Sequence, residues 1–119
     1  MKIEWVPKST PVPNALLDEV MPKLRDTELR VVLVIVRQTL GWVDRETGKR
    51  RISDWISQGQ LKKKTGRASE AISRSIDVLV RSRVIEVCDY LGRPLMSASA
   101  RRKARHRVYY SLSKRLLQE

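Results

Sequence analysis

A helix, a turn that contains glycine, and a second helix follow one another within residues 57–81. Ser57 and Gln60 have the spacing of a capping box, in which each side chain satisfies a backbone N–H of the other residue. This spacing predicts a short helix over residues 58–64. Gly66 follows directly, and its freedom to adopt a positive φ suits a tight turn.

The second helix is predicted over residues 70–81, with Ser69 as its N-cap. Its apolar residues recur at i, i+4, i+7 and i+8, the pattern of one buried helical face. They are Ile72, Ile76, Leu79 and Val80. A capped helix, a glycine turn and an amphipathic helix make a helix-turn-helix, whose second helix lies in the DNA major groove.

A β-hairpin is predicted over residues 84–112, directly after this helix. Residues 84–91 and 107–112 have strand character, while Gly92 and Pro94 break the first run. The connection carries a basic run, and a ribbon with a basic loop in this place is a wing. We therefore predict one domain over residues 1–119, mostly α with a small β-hairpin, as a winged helix-turn-helix.

Two helices are predicted ahead of this motif, within residues 10–41. Asn14 is the expected N-cap of a short helix that Pro22 ends. Asp26 is the expected cap of a longer helix, with Gly41 as its left-handed C-cap. Residues 31–36 are apolar on every side, so this helix is enclosed by its own domain or by a second copy of the chain. The second case predicts a homodimer.

The charge distribution points to a polyanionic partner. Lys and Arg number seven in residues 1–48 and balance seven Asp and Glu, whereas residues 49–119 carry eighteen against six. The net charge of +12 therefore belongs to the second part. Nucleic acid is favoured over a membrane surface, because the cations do not follow one amphipathic helix.

A cytoplasmic protein without cofactor, metal or enzymatic activity is expected. Cys88 is the single cysteine, so no intramolecular disulfide forms, and its strand context suggests a buried, inert thiol. No apolar run has membrane-spanning or signal-peptide length. His106 is the single histidine, which leaves a histidine metal site or a catalytic triad incomplete. Trp42 and Trp55 are expected in or near the core; the alternative is that Trp5, Trp42 and Trp55 stack on bases of a single strand.

The predicted DNA-binding residues belong to two groups. On the second helix we expect Arg74 to contact a base edge, because its guanidinium matches guanine, with Ser73 as a second contact. Ser69 is expected near a phosphate. The full helix group is Arg67, Ser69, Glu70, Ala71, Ser73 and Arg74. The wing group, expected on phosphates, is Arg101, Arg102, Lys103 and Arg105. A solvated amphipathic helix and a solubilising charged loop are the alternatives.

Several segments resemble a known family. They are Thr-Pro-Val-Pro-Asn at residues 10–14, ELRVVLVIVRQTLGW at residues 28–42, Trp-Ile-Ser at residues 55–57, Leu61, and Thr-Gly at residues 65–66. Over about residues 10–87 the chain is similar to the N-terminal domain of the bacteriophage replication protein O family. The resemblance implies double-stranded DNA binding at a replication origin. It also implies loading of a helicase, or contact with a helicase loader, through a region absent here. The wing is longer and more basic than the family suggests.

Two other functions fit the same residues. A transcriptional regulator on the same scaffold would bind a promoter instead of an origin. A protein-interaction winged helix would bind a partner protein and no DNA.

Overall fold

Secondary structure is described for residues 7–104 and 106–118 of this computed structural model. The helices are α1 (Asp26–Gln38), α2 (Gln58–Thr65), α3 (Ser69–Arg81), α4 (Ala98–Lys103) and α5 (Lys114–Leu117), and the strands are β1 (Asp54–Trp55), β2 (Ile85–Cys88) and β3 (Tyr109–Leu112). A π-helical turn, Leu16–Val20, and a 3₁₀ turn, Met21–Lys23, precede α1. None of the helices in the described ranges is long and apolar enough to cross a bilayer.

Helix α1 lies at the centre of the molecule and packs on α2, α3 and β3. The apolar run 31–36 is helical, as predicted, and four of its six residues are buried in the chain's own core. Those four are Val31, Val32, Ile35 and Val36. Leu33 points outward with 41% of its surface exposed. The enclosure of α1 is therefore supplied mainly by its own domain.

The sheet is antiparallel with strand order β1-β3-β2. The predicted hairpin is confirmed by the pairing of β2 with β3, which sets Ile85 opposite Leu112 and Cys88 opposite Tyr109. Side chains alternate along β2, with Ile85 and Val87 buried and Glu86 exposed, so one face covers the core. Strand β1 adds a short third strand beyond the predicted hairpin. The fold is mostly α with a small sheet, and α2 and α3 form the helix-turn-helix of a winged helix.

The predicted helix starts ahead of the motif were each displaced. Asn14 is already helical, and Pro22 lies inside the 3₁₀ turn rather than ending the helix before it. Helix α1 begins at Asp26, with Arg25 as the N-cap residue. The carboxylate of Glu28 accepts the Arg25 backbone N–H at 3.0 Å, so the capping bond comes from inside the first turn.

Gly41 follows α1 for a reason other than the predicted left-handed cap. Its φ is not positive, unlike those of Gly48, Gly66 and Gly92. Instead the backbone packs tightly, because a Cβ atom at this position would overlap the carbonyl oxygen of Arg37 and lie 3.0 Å from the hydroxyl oxygen of Thr10. Close approach, rather than a special φ, requires glycine here.

Candidate nucleic-acid interface

The helix-turn-helix is held by the predicted capping box and by one bond from α1 that the sequence did not predict. The Gln60 N–H donates to the Ser57 hydroxyl at 3.1 Å, and the Ser57 N–H donates to the Gln60 amide oxygen at 2.9 Å. Gly66 ends α2 with φ +69°. Arg30 of α1 donates to the Thr65 carbonyl at 2.7 Å, which fixes the turn against the core. Both the capping box and the left-handed turn are confirmed.

Helix α3 has one buried and one exposed face. The predicted apolar residues Ile72, Ile76, Leu79 and Val80 are all buried. Ser69 does not cap the helix, because Ala68 occupies the N-cap position and Ser69 is the first helical residue, with no side-chain cap bond. The predicted DNA-contacting residues avoid the core: Glu70, Ser73 and Arg74 are exposed, and Arg67, Ser69 and Ala71 are half-buried.

Arg74 is free to contact a ligand. Among the described residues it forms no hydrogen bond or ion pair, although Glu70 lies one turn before it on the same helix. An extended guanidinium on an exposed helical face therefore presents all its donors to solvent.

The first three cations of the basic run lie on a helix, α4, and not on the loop that we predicted. The hydroxyl of Ser97 accepts the Ala100 N–H at 3.0 Å and caps α4. The three cations of α4 differ in their exposure and in their partners. The Arg101 side chain is 10% exposed; its guanidinium lies 3.0 Å from the Asp77 carboxylate on α3 and 3.1 Å from the Leu95 carbonyl. Arg101 therefore holds α4 against α3.

Arg102 and Lys103 are the cations that α4 presents to solvent. Both are exposed, and neither has a hydrogen-bond or ion-pair partner among the described residues. Arg105, the fourth residue of the predicted wing group, lies outside the described residues.

A cleft of about 910 Å³ lies between α3, α4, the start of α2 and the sheet. It brings together four of the predicted residues, namely Ser69, Ser73, Arg101 and Arg102. Arg67, Glu70, Ala71, Arg74 and Lys103 do not line it. The interface thus has two parts, the exposed face of α3 and a basic cleft beside it.

Apart from Trp55, Arg101 and Arg102, the aromatic and cationic residues in this cleft were missed by the sequence prediction. The Arg107 guanidinium lies 4.1 Å from the ring centre of Trp55, and the rings of Tyr90 and His106 meet edge to face at 4.3 Å. Trp55 pairs with Tyr109 across β1 and β3. Side chains alternate between the two faces of a strand, so the predicted strand 107–112 places Arg107 and Tyr109 on one face. This alternation was the sequence signal that could have indicated them.

The two tryptophans differ in burial. Trp55 is half-buried, near the core as expected. For Trp42 the expectation was wrong: its side chain is 48% exposed, and the guanidinium groups of Arg37 and Arg51 lie 5.3 and 5.8 Å from its ring centre. An exposed tryptophan of this kind is held by cation–π contact rather than by core packing.

Two titratable groups in the sheet have shifted pKa values. Burial raises the pKa of Tyr110 to about 12, against a smaller opposing effect of the Arg101 charge, so its phenol is neutral at physiological pH. Cys88 is half-buried rather than fully buried as predicted, and burial, followed by the Glu86 and Asp89 carboxylates, raises the pKa of its thiol. In the described part of the chain, no three His, Cys, Asp or Glu side chains cluster as a metal site.

These elements define a winged helix-turn-helix domain with a basic cleft beside its second helix. The model of the family described as bacteriophage replication protein O matches residues 9–90. The chain belongs to this family, as the residue pattern predicted, and the membership supports a role in phage replication initiation. The matched span includes α1, α2, α3 and β2 and ends before α4. Neither the curated proteins nor the solved structures contain a match.

Proposed function

We propose that this protein binds double-stranded DNA through α3 and recognises the replication origin of a phage. The observation that carries the proposal is Arg74, whose guanidinium has no partner among the described residues and lies on the exposed face of the second helix of a helix-turn-helix. A major groove about 12 Å wide accepts an α-helix, and a guanidinium donates two hydrogen bonds to the O6 and N7 atoms of guanine.

The neighbouring residues of α3 offer complementary base contacts. The Glu70 carboxylate is an acceptor for the cytosine N4 amino group, Ala71 suits the methyl group of thymine, and the Ser73 hydroxyl suits several edges. Arg67 and the N–H groups at Ser69 lie near the start of the helix, where phosphates bind.

Arg102 and Lys103 supply sequence-independent contacts in this proposal. Their free charges on α4 match the negative charge of the DNA backbone, and Arg105 extends the same basic run. With about five phosphate contacts, the slope of log affinity against log salt concentration is about −4 to −5. The activity is binding alone and requires no catalytic group or cofactor in the cytoplasm of the infected cell.

The proposal also includes two protein partners, a second copy of the chain and a helicase or its loader. Origin sites that occur as repeats would place two copies side by side, and Leu33 is the exposed apolar residue that α1 offers for a homodimer. A helicase or its loader is the further partner that the family membership suggests.

Selection from a randomised duplex library tests the proposed function. Repeated rounds of binding and elution should enrich one motif, and that motif should recur as repeats in the replication region of the genome that encodes the chain. A motif found in promoters instead would favour the transcriptional regulator. Binding without enrichment, or no duplex binding at all, would contradict origin recognition.

A further inference from the structure

The aromatic residues of this protein are concentrated on one surface. The chain has three Trp, three Tyr and no Phe, and five of these six aromatic residues are described. Four of the five line the cleft between α3 and α4, together with the single histidine. The four are Trp55, Tyr90, Tyr109 and Tyr110. The rest of the core cluster is aliphatic.

Core packing explains this placement for Tyr110, which is 5% exposed, but not for the other three rings. Aromatic side chains stabilise a fold chiefly by burying large apolar areas, yet Tyr90 is 51% exposed, and Trp55 and Tyr109 are only half-buried. Their rings border a cleft large enough for a bound molecule of several rings, since ligand sites commonly measure about 300–1,000 Å³.

The charges of the lining residues favour a negatively charged ligand. Arg102 and Arg107 line it without a carboxylate partner among the described residues, whereas Arg101 is paired with the Asp77 carboxylate. No Asp or Glu belongs to the described lining. The Arg107 guanidinium lies 4.1 Å from the Trp55 ring centre, so a cation and a ring are already adjacent in the cleft. Aromatic rings beside such cations are the combination that binds single-stranded nucleic acid, because the rings stack on bases while the cations follow the phosphates.

Duplex DNA offers these rings no free base face on which to stack. Its bases are already stacked on one another and present only their edges in the grooves. We propose that the cleft binds an unpaired stretch of single-stranded DNA, beside the duplex held on the exposed face of α3. This inference rests on the proposed function and extends it, since one face of the domain would then hold paired and unpaired DNA together.

Tryptophan fluorescence tests the stacking directly. Replacing Trp5 and Trp42 with Phe leaves Trp55 as the sole tryptophan of the full chain. Titration with a fifteen-nucleotide oligothymidylate should then quench its emission to a saturating level, because a stacked base quenches the indole. Emission that stays unchanged while the oligonucleotide binds, as measured by anisotropy of a labelled strand, would overturn the proposal.

Tyr90 offers a matched pair of variants, since it is exposed and its ring touches His106 alone among the described aromatic rings. Tyr90→Ser removes the stacking face and should weaken oligothymidylate binding by roughly 5- to 10-fold, the lower part of the range for one stacked base. Tyr90→Phe keeps the ring and should bind within about twofold of the native chain. Equal binding by all three proteins, or equal losses in Ser and Phe variants, would contradict stacking at this position.

Duplex binding is measured in parallel so that the two proposals fail separately. Arg74→Ala should weaken duplex binding and leave oligothymidylate binding within about twofold, whereas Tyr90→Ser should do the reverse. If Tyr90→Ser weakened binding of both the duplex and oligothymidylate while its melting temperature stayed unchanged, the cleft would be part of the duplex site. That result would overturn the single-strand proposal. Absence of duplex binding in the native chain, with oligothymidylate binding intact, would overturn the proposed function alone.

Discussion

Replacing Arg101 with Met should destabilise the protein, although its neighbours Arg102 and Lys103 are exposed. Its guanidinium donates to Asp77 at 3.0 Å and to the Leu95 carbonyl at 3.1 Å, and only 10% of the side chain is exposed. Met preserves most of the aliphatic packing of the arginine stem. The variant therefore removes chiefly the polar attachment of α4 to α3.

The surroundings of Asp77 determine how much free energy of unfolding the Arg101→Met variant loses. Hydrogen bonds to charged groups contribute about 1.5–3 kcal/mol. Asp77 is 31% exposed and keeps a second partner, Arg81, at 3.1 Å, so its charge is not stranded by the substitution. We expect a loss at the lower end, about 1.5–2 kcal/mol for the whole change, which lowers Tm by roughly 6–8 °C in a domain of this size.

Urea unfolding followed by circular dichroism measures this loss, with Arg102→Met as the matched control. Arg102 is exposed and its side chain has no partner in the part of the chain that the structure describes, so its variant should retain native stability. A double-mutant cycle with Asp77→Asn should give a coupling energy of about 1 kcal/mol. Equal stabilities of the Arg101 and Arg102 variants, or strict additivity in the cycle, would refute the anchoring role.

Three further predictions address the core and assembly. Gly41→Ala and Gly41→Asn should both cost about 1–3 kcal/mol in urea unfolding, since any Cβ meets the Arg37 backbone; a tolerated Asn would instead indicate a left-handed cap. Because the folded-state pKa of Tyr110 is raised to about 12 from 10.0, its contribution to stability is constant below pH 10 and falls by about 2–3 kcal/mol as the pH rises to 12. Alkaline unfolding of Tyr110→Phe should lack this fall, and identical pH profiles would contradict it. Light scattering should show a doubled mass on duplex DNA that Leu33→Glu abolishes; one copy per duplex in both proteins would rule out the dimer.

Local signals predicted the helix-turn-helix well. The capping box, the left-handed glycine and the periodicity of α3 all act within about ten residues, so their physical causes can be read from neighbouring letters. The errors at the starts of α1 and α3 are each a shift of one residue. Arg25 and Ala68 are the N-cap residues of α1 and α3, although Asp26 and Ser69 have the side chains that favour that position.

The wing was predicted less well because long-range contacts shape it. Its strands were found, and the cap at Ser97 was a local signal for α4 that the basic composition obscured. The attachment of Arg101 to Asp77 spans 24 residues of sequence, and no local pattern separates this arginine from Arg102 beside it. The cleft likewise joins Trp55 to Tyr109 through strand pairing, which periodicity alone does not specify.

The central claim is that α3 reads sequence while α4 contacts phosphates, and affinity measured on two duplexes tests it. On the selected site Arg74→Ala should cost about 1–3 kcal/mol and reduce the preference for that site over a mutated one. The pair Arg102→Ala and Lys103→Ala should weaken specific and random duplexes about equally and make the salt slope shallower by up to about two units. Loss of sequence preference in the α4 pair, with a uniform loss in Arg74→Ala, would contradict the account and assign recognition to α4.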